Sequence, residues 1–343
     1  MTNAPIQTEA ELDEALSRPA HGDVEAMRTL TGDLLLIGAS GKMGPTMAAL
    51  ARRASEQAGV SRRIIAAARF TDPAARDALE AVGAETVTCD LLDRASIEAL
   101  PDAPNVLYMV GQKFGTANDA ARTWAINAYA PGVAAERFKS SRIVAFSTGN
   151  VYPLTPVASG GPTETDPTGP VGEYAQSALA RERMFAFFAD RNQTPTAILR
   201  LNYAIDLRYG VLHDIGARVF AGEPVDLATG YANVIWQRDA NSVALRSFAH
   251  AATPAFILNL TGARTESVRA IAQAFAVHFG REAVFNGEET ETALLNNAAL
   301  CKQLFDPETV TLDQMIGWVA NWIAQGGRAL GKPTHFEVRD GKF

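Results

Sequence analysis

Residues 33–44 read DLLLIGASGKMG, a run of apolar residues that passes directly into a turn with three glycines. A short, continuous apolar run is typical of a strand that is buried on both faces of a parallel sheet. The next segment, PTMAALARRASEQ over residues 45–57, has the apolar spacing of a helix. Gly38, Gly41 and Gly44 therefore stand between a strand and a helix. Glycines in that place permit a tight turn, and the amino end of the helix offers N–H groups to the phosphates of a dinucleotide.

Strand and helix patterns alternate from this turn to about residue 204. Further strands are predicted at RRIIAAARF, ETVTCDL, NVLYMVG, RIVAFST and TAILRLNYA, with helical segments between them. This alternation indicates the α/β class, with a Rossmann-type doubly wound parallel sheet and a smaller C-terminal substrate lobe. We expect a helical N-terminal extension at residues 1–32, a dinucleotide-binding Rossmann domain at 33–204, and the smaller lobe with its tail at 205–343.

The composition narrows the classes of function. The chain has 343 residues and a formal net charge of −7, without the basic surface that nucleic-acid binding requires. The first twenty residues are polar and do not resemble a signal peptide, and no apolar stretch reaches the ~20 residues of a membrane helix. Cys89 and Cys301 have neither metal-ligand spacing nor a disulfide pattern. We expect a cytoplasmic protein that contacts neither nucleic acid nor membrane and binds no metal.

Further motifs follow the glycine turn in a fixed order. They are Asp90-Leu91 after the third strand, Gly111-Gln112-Lys113 after the fourth, Asn127 in the next helix, STGNVYP at 147–153, Tyr174 in a later helix, and Arg200-Leu201-Asn202 in the sixth strand. Their order and spacing resemble those of the extended short-chain dehydrogenases/reductases, the NAD-dependent epimerase/dehydratase family. The resemblance covers about residues 33–325.

Site residues follow from these motifs by position. The resemblance implies catalytic roles for Thr148, Tyr174 and Lys113. Together with the residues of the glycine turn and the second strand, it indicates a cofactor site formed by Gly38, Ser40, Gly41, Lys42, Met43, Gly44, Arg69, Asp90, Leu91, Val110, Gly111, Lys113, Asn127, Tyr174 and Leu201. Substrate contacts are expected at Thr148, Asn202 and Trp236.

The family's Tyr-x-x-x-Lys motif reads Tyr174-Ala-Gln-Ser-Ala178 in this chain, so its lysine is missing. A tyrosine with a pKa near 10 that exchanges a proton near pH 7 needs roughly 4 kcal/mol. One ammonium about 4 Å away supplies roughly 4 kcal/mol at an effective dielectric near 20. Another cation must therefore assist if proton transfer is to survive. Lys113 is the first candidate and Arg181, on the same helix face as Tyr174, is the second; the alternatives are a simple cofactor contact and a surface charge.

The second predicted strand ends Ala66-Ala67-Ala68-Arg69. NAD-specific members of the family carry an acidic residue where Ala68 stands, to hold the ribose 2′-hydroxyl. Its absence, with Arg69 next to it and Lys42 in the glycine turn, favours NADP, because a guanidinium binds phosphate well. NAD remains the alternative.

Two functions stay open at this stage. The first is an oxidoreductase, epimerase or dehydratase that acts by hydride transfer on a sugar or sugar-like hydroxyl. The alternative is a non-catalytic dinucleotide-binding protein of the same fold, with a sensing or structural role, and Ala178 is its main support. The resemblance also implies a homodimer through the helices at 117–138 and 173–190. No motif identifies the substrate.

Overall fold

A parallel sheet lies at the centre of the structure. The computed structural model describes residues 5–113, 115, 119–307, 309–332 and 334–342. The strands are β1 (Leu34–Ile37), β2 (Ile64–Ala68), β3 (Glu85–Thr88), β4 (Asn105–Tyr108), β5 (Arg142–Thr148), β6 (Thr155–Pro156), β7 (Thr196–Leu201), β8 (Ala204–Ile205), β9 (Val225–Asp226), β10 (Tyr231–Ala232), β11 (Ile235–Trp236), β12 (Phe256–Leu260), β13 (Glu266–Ser267), β14 (Phe285–Asn286) and β15 (Thr292–Ala293).

Helices cover both faces of the sheet and build the smaller lobe. They are α1 (Glu9–Ser17), α2 (His21–Thr29), α3 (Gly44–Gln57), α4 (Pro73–Ala81), α5 (Arg94–Glu98), α6 (Ala120–Trp124), α7 (Ala130–Arg137), α8 (Gly172–Asn192), α9 (Val211–Ala221), α10 (Gln237–Arg246), α11 (Val268–Phe279), α12 (Ala299–Phe305) and α13 (Leu312–Ala324). A π-helical turn at Ala125–Tyr129 joins α6 to α7. No helix among the described residues combines the length and the apolar character needed to span a membrane.

The sheet order confirms the predicted fold class. Seven described strands pair in the order β12-β7-β5-β4-β1-β2-β3, and every pair is parallel. The strand order reverses between β1 and β4, so the chain continues to opposite sides of the sheet from this point. In doubly wound folds ligands bind outside the carboxyl ends of the strands at such a reversal.

Burial explains why the glycine turn follows β1. All four residues of β1 are at most 1% exposed. Leu34 and Leu36 pack into the apolar core on one face of the sheet, while Leu35 and Ile37 pack into the core on the other. Side chains alternate between the faces of a strand, so only a strand covered on both sides needs four apolar residues in succession. The apolar run thus places the turn at the carboxyl edge of the sheet.

The N-terminal extension is an integral layer of the fold. Its helix α1 begins with a capping box, in which Thr8 Oγ1 accepts the N–H of Glu11 and the Glu11 carboxylate accepts the N–H of Thr8. Helices α1 and α2 pack against α3 and α10. Asp23 of α2 is fully buried and forms an ion pair with Arg238 of α10 (2.7 Å).

The segment after residue 204 does not form the smaller lobe alone. Helices α9, α11 and α13 pack together around a separate apolar core. However, β12 adds a seventh strand beside β7, and α10 packs on α3 of the Rossmann part. The expected boundary between 33–204 and 205–343 therefore does not separate the two lobes, because the chain returns to the sheet and buries apolar strand residues there.

Candidate functional site

The glycine turn lies at the carboxyl end of β1 and opens into a cavity of about 200 Å³. A Cβ atom at Gly44 would lie 1.8 Å from the Ala39 carbonyl oxygen, so only glycine lets α3 begin this close to the turn. The cavity is lined by Ile37, Gly38, Ser40, Gly41, Ala67, Ala68, Arg69, Cys89, Asp90, Leu91, Leu92, Met109, Val110, Gly111, Arg122 and Ile126. Apart from Arg122 of α6 and Ile126 of the π-helical turn, these residues lie at or shortly after the carboxyl ends of β1, β2, β3 and β4.

This cavity suits a dinucleotide. No side chain caps the amino end of α3, and its first turn carries no acidic residue. The positive end of the helix dipole is therefore not opposed by a carboxylate, which favours anionic phosphates at this end of α3. Gly41 is exposed, and a Cβ at this position would meet only the Gly38 carbonyl oxygen, at 3.4 Å. Met43, in contrast, packs against the apolar core.

The far end of the cavity is formed by Ala68, Arg69, Asp90 and Leu91. Ala68 is buried at the end of β2, and Arg69 is exposed beside it. Asp90 Oδ1 accepts the N–H of Leu92 (3.0 Å), which holds its carboxylate at the rim. The sequence places here the groups that would hold an adenosine ribose, and the structure brings them together.

Asn127 connects three elements below the cavity. It is fully buried in the π-helical turn, where its Oδ1 accepts the N–H of Gln112 (2.8 Å). Its Nδ2 donates to the Gln112 carbonyl oxygen (2.9 Å) and to Ser177 Oγ (3.0 Å). The side chain thereby ties the end of β4 to α8. π-Helical turns are common at functional sites, yet Asn127 acts here by positioning backbone.

Arg181 lies under Gly111. Its guanidinium is buried and donates to the Phe146 carbonyl oxygen (3.0 Å) and to Asn127 Oδ1 (2.9 Å). A Cβ atom at Gly111 would lie 2.8 Å from Arg181 Nη2, so a side chain there would have to displace this guanidinium. None of the ion pairs found among the described residues includes Arg181. The surface-charge alternative for Arg181 is wrong, because the residue is buried against Gly111, which lines the cavity.

Thr148 and Tyr174, which the sequence predicts to be catalytic, lie at the end of β5 and the start of α8. Tyr174 is partly buried in the first turn of α8, and Thr148 is buried at the end of β5. Thr148 Oγ1 donates to Asn150 Oδ1 (3.0 Å) and accepts the N–H of Asn150 (3.2 Å). Ala178 has no exposed surface and packs against Val151 and its neighbours in a small apolar cluster. The position of the missing lysine is thus filled by apolar contacts.

Lys113 reaches from the end of β4 toward the smaller lobe. Its Nζ donates to the Thr334 carbonyl oxygen (2.9 Å). The N–H and Oγ1–H of Thr334 in turn donate to Asp214 Oδ2 of α9, at 2.7 and 2.6 Å. Burial lowers the pKa of Lys113 to about 8, and the carboxylates of Asp214 and Glu337 oppose this effect. Lys113 therefore still carries most of its positive charge at neutral pH.

The side chain of Lys42 extends from the glycine turn toward Tyr209, a contact that the sequence did not predict. Its Nζ lies over the ring of Tyr209, 2.9 Å from the ring centroid. Burial, followed by repulsion from Lys332 and Lys113, lowers the pKa of Lys42 to about 7. Lys42 does not line the cavity that contains Arg69. The charge argument for a 2′-phosphate consequently depends on Arg69 alone.

The expected substrate contacts are less accessible than the sequence suggested. Trp236 is 1% exposed and packs edge-on against Trp318 in the core of the smaller lobe (5.6 Å between ring centroids). Trp236 therefore contributes to core packing, and neither face of its ring is open to a substrate. Asn202 is buried, and its Nδ2 donates to the Leu294 carbonyl oxygen (3.4 Å). Leu201 packs partly against the core beside the sheet.

Several residues near the glycine turn and Lys113 were not predicted as site residues from the sequence. Tyr209 and Asp214 follow β7 at the carboxyl edge of the sheet, and polar residues after a strand could have indicated them. Burial raises the pKa of Tyr209, and the Asp214 carboxylate acts in the same direction. Thr334 and Lys332 belong to a tail without periodicity, so only the fold brings them to Lys113 and Lys42.

Solved structures of similar fold were found, but no curated protein matches the chain. One is UDP-glucuronic acid 4-epimerase from Bacillus cereus (TM-score 0.68, 16% identity, 85% of this chain and 99% of that chain covered). Another is the UDP-Glc/GlcNAc 4-epimerase from Campylobacter jejuni (0.69, 19%, 86% and 100%). A third is dTDP-glucose 4,6-dehydratase from Bacillus anthracis (0.70, 15%, 86% and 97%). At these identities the likeness shows the fold.

The family is identified by a comparison of the sequence with family models. The model of the NAD dependent epimerase/dehydratase family matches residues 34–205, which is half of the chain. The match begins with β1 and ends just after β7, so it contains the glycine turn, Tyr174 and the strands that position them. This confirms the resemblance drawn from the motifs. The chain belongs to the NAD dependent epimerase/dehydratase family.

Proposed function

We propose that the chain is an enzyme that binds a nicotinamide dinucleotide and acts on a hydroxyl-bearing carbon of a sugar-like substrate. The observation that carries the proposal is the glycine turn with its cavity at the carboxyl edge of the sheet, next to which Lys113 follows β4 and Tyr174 lies in the first turn of α8. Lys42 of the turn lies over the Tyr209 ring. Tyr174 is near enough to Tyr209, and Lys113 to Lys42, for their charges to interact. A cofactor-binding turn and proton-exchanging groups thus share one cleft.

The chemistry assigned to the chain's own residues is proton transfer. A nicotinamide, when bound, supplies acceptance and return of a hydride. Thr148 would hydrogen-bond the reacting oxygen, and Tyr174 would exchange a proton with it. Lys113 would stabilise the negative charge that develops on the Tyr174 oxygen. Arg181 is the second candidate for this charge, since it is buried in the floor of the same cleft.

The solved relatives support the substrate class. The Bacillus cereus structure contains UDP-glucuronic acid and NAD, and the Bacillus anthracis structure contains NAD. We propose a carbohydrate-like substrate for this chain on that basis. A non-catalytic, dinucleotide-binding role is the second candidate, and it is favoured by the apolar packing of Ala178 where the family has its lysine.

Cofactor binding is tested at Gly41. Replacement by alanine should leave the fold intact, because a Cβ there meets only one atom, at 3.4 Å. It should nevertheless weaken NADH and NADPH binding by about tenfold or more, because a methyl group blocks approach of the pyrophosphate. Nicotinamide fluorescence measures the affinity. The matched control is Gly317→Ala, whose Cβ would lie 3.8 Å from His278. Failure of the wild type to bind either dinucleotide would refute the proposed function.

Cofactor choice is tested at the end of β2. We propose NADP as the preferred dinucleotide, because Arg69 stands at the cavity rim and no acidic residue replaces Ala68. Ala68→Asp combined with Arg69→Ala should shift the ratio of affinities toward NADH by about tenfold or more. A carboxylate there accepts a bond from a 2′-hydroxyl and repels a 2′-phosphate. Tighter binding of NADH than NADPH by the wild type would contradict this preference.

A homodimer is proposed through α6, the π-helical turn and α8. Trp124, Tyr129 and Phe187 expose 37%, 54% and 51% of their surface on these adjacent elements. Residues 117 and 118 of the expected dimer helix lie outside the described residues. Light scattering at micromolar concentration should give twice the monomer mass. Tyr129→Asp with Phe187→Asp should give a monomer, whereas Val277→Asp on α11, 83% exposed, should not. A monomeric wild type would contradict the proposal.

A further inference from the structure

The C-terminal segment, residues 328–342 apart from residue 333, lies against both lobes. Its described residues form neither helix nor strand, so individual contacts must hold it in place. Near its start the N–H of Leu330 donates to the Arg208 carbonyl oxygen (3.0 Å). Phe336 is 4% exposed and packs in the apolar core of the smaller lobe. The segment is therefore anchored to that lobe through its backbone and an apolar side chain.

The segment also contacts the Rossmann part at two points. Lys113, which follows β4, donates from Nζ to the Thr334 carbonyl oxygen (2.9 Å). The backbone of Gly341 lies directly against Gly172, the first residue of α8, where a Cβ atom would collide with the Gly341 carbonyl oxygen. Tyr174 lies two residues further along α8. The two contacts therefore adjoin the lysine and the tyrosine to which we assign proton transfer.

A carboxylate of α9 fixes Thr334. The N–H and the Oγ1–H of Thr334 both donate to Asp214 Oδ2, at 2.7 and 2.6 Å. Thr334 is 3% exposed, so these bonds are shielded from water. Hydrogen bonds to an ionised acceptor are stronger than those between neutral groups. Asp214 thus holds the backbone of the residue whose carbonyl oxygen accepts the bond from Lys113.

Arg339 anchors the segment on the other side of Thr334. Its Nη1 donates to the carbonyl oxygens of Ala228 (3.0 Å) and Thr292 (2.8 Å). Its Nη2 donates to Thr292 Oγ1 (2.6 Å). The segment is therefore held both before and after Thr334, and the Thr334 carbonyl oxygen has a defined position.

A lysine that assists proton transfer needs such a restraint. Its ammonium is a compact charge on a long, flexible stem, and the attraction between two charges weakens as they move apart. Lys113 lies outside the helices and strands. The carboxylates of Asp214 and Glu337 attract its ammonium, and Lys42 repels it. The Thr334 carbonyl oxygen is uncharged, so it fixes the ammonium without cancelling its charge.

Resting on the proposed function, we propose that the C-terminal segment is part of the catalytic site and that Thr334 and Asp214 are positioning residues for Lys113. Thr334 acts through its backbone carbonyl oxygen, which holds the ammonium in the place from which it assists Tyr174. Asp214 acts through Thr334, because it fixes that carbonyl oxygen. Neither residue is assigned a contact with the reacting atoms.

The restraint is measured on the cofactor-free, full-length chain. Acetic anhydride acylates the free amine of a lysine, and mass spectrometry of the peptides gives a rate for Lys113. Asp214→Ala removes both bonds to Thr334, whereas Asp214→Asn keeps an acceptor oxygen and removes only the charge. Both changes lower the pKa of Lys113 alike, because each removes the same carboxylate charge. The released ammonium in Asp214→Ala should therefore be labelled about tenfold faster than in Asp214→Asn.

A second pair of variants makes a smaller change to the fold. Thr334→Val removes only the Oγ1–H bond and should speed the labelling of Lys113 by about threefold. Thr334→Ser keeps the hydroxyl and should retain the wild-type rate. Thr309→Val is the matched control, because the N–H and Oγ1–H of Thr309 also donate to one carboxylate, that of Asp239 (2.9 and 2.6 Å). It should leave the rate at Lys113 unchanged.

Turnover tests the catalytic consequence. The kcat of Asp214→Ala should be about tenfold below that of Asp214→Asn. Affinity for NADH and NADPH should be the same in both, since Asp214 does not line the dinucleotide cavity. If Asp214 acts through Lys113, this difference in kcat should disappear when Lys113→Ala is added to each variant.

Three outcomes would overturn the inference. They are equal labelling of Lys113 in Asp214→Ala and Asp214→Asn, equal labelling in Thr334→Val and Thr334→Ser, and a difference in kcat that is absent or that persists without Lys113. Failure of the proposed function is distinguishable, because it appears as absence of NADH and NADPH binding, whereas labelling is measured without any dinucleotide.

Discussion

Replacing Lys113 by alanine should lower kcat by about a hundredfold or more, in the range that loss of assistance to proton transfer produces. The motif lysine is absent, and Ala178 in its place packs within an apolar cluster. Lys113 is held in the cleft by the Thr334 carbonyl oxygen (2.9 Å). Its removal takes away a positive charge without opening the dinucleotide cavity, since Lys113 does not line it. Cofactor affinity should therefore change much less than kcat.

Two variants separate this role from a simple cofactor contact. Tyr174→Phe should lower kcat by a similar factor, because it removes the proton itself, while NADH and NADPH still bind. If Lys113 only contacts the cofactor, saturating dinucleotide should restore the rate of Lys113→Ala. Full activity of the variant that combines Lys113→Ala with Tyr174→Phe would place catalysis elsewhere in the cleft. Unchanged behaviour of Tyr174→Phe in every assay, with cofactor binding intact, would favour the non-catalytic alternative.

The pH dependence of kcat is an independent test of the role of Lys113. Burial lowers the pKa of Lys113 to about 8. Because the ammonium is the active form, the rate should be full below this pH and should decline as the pH rises through it. Lys113→Arg keeps its charge at any accessible pH, so its rate should persist to higher pH. A wild-type rate without any alkaline decline would argue against Lys113.

Asp23→Ala should lower the free energy of unfolding by about 3 kcal/mol, near the lower end for removing one partner of a buried ion pair. Asp23 has no exposed surface and accepts bonds from Arg238 Nη2 (2.7 Å), the N–H of Ala20 (2.7 Å) and Ser242 Oγ. Without it the buried Arg238 keeps only Asp239, at 3.3 Å, as an anionic partner among the described residues. Urea denaturation measures the change.

The control for this prediction lies in the same extension. Glu14 pairs with Arg18 and Arg53 at the surface and is 44% exposed. Exposed ion pairs contribute little because water screens them, so Glu14→Ala should leave the unfolding midpoint unchanged. Equal midpoints for Asp23→Ala and the wild type would show that the N-terminal helices are dispensable for the stability of the sheet.

Local sequence patterns were sufficient to predict the parallel sheet and the helices that cover it. The apolar run 34–37 is buried on both faces, and the helical spacing that follows Gly44 becomes α3. These signals are local, since strand and helix periods depend on neighbours within a few residues. The return of β12 to the sheet was not predicted, because its apolar run at 256–260 looks the same in either lobe. Only pairing with β7 decides where it belongs.

The sequence by itself determined the family, the parallel sheet and the glycine turn at its carboxyl edge, because each depends on short motifs in a set order. The tertiary structure alone decided where the charged side chains lie. Lys42 turns to Tyr209, Arg181 is buried under Gly111, and Lys113 meets Thr334 across 221 positions of sequence. Contacts of this range leave no periodicity in the chain, because they are set by how two lobes and a tail pack together.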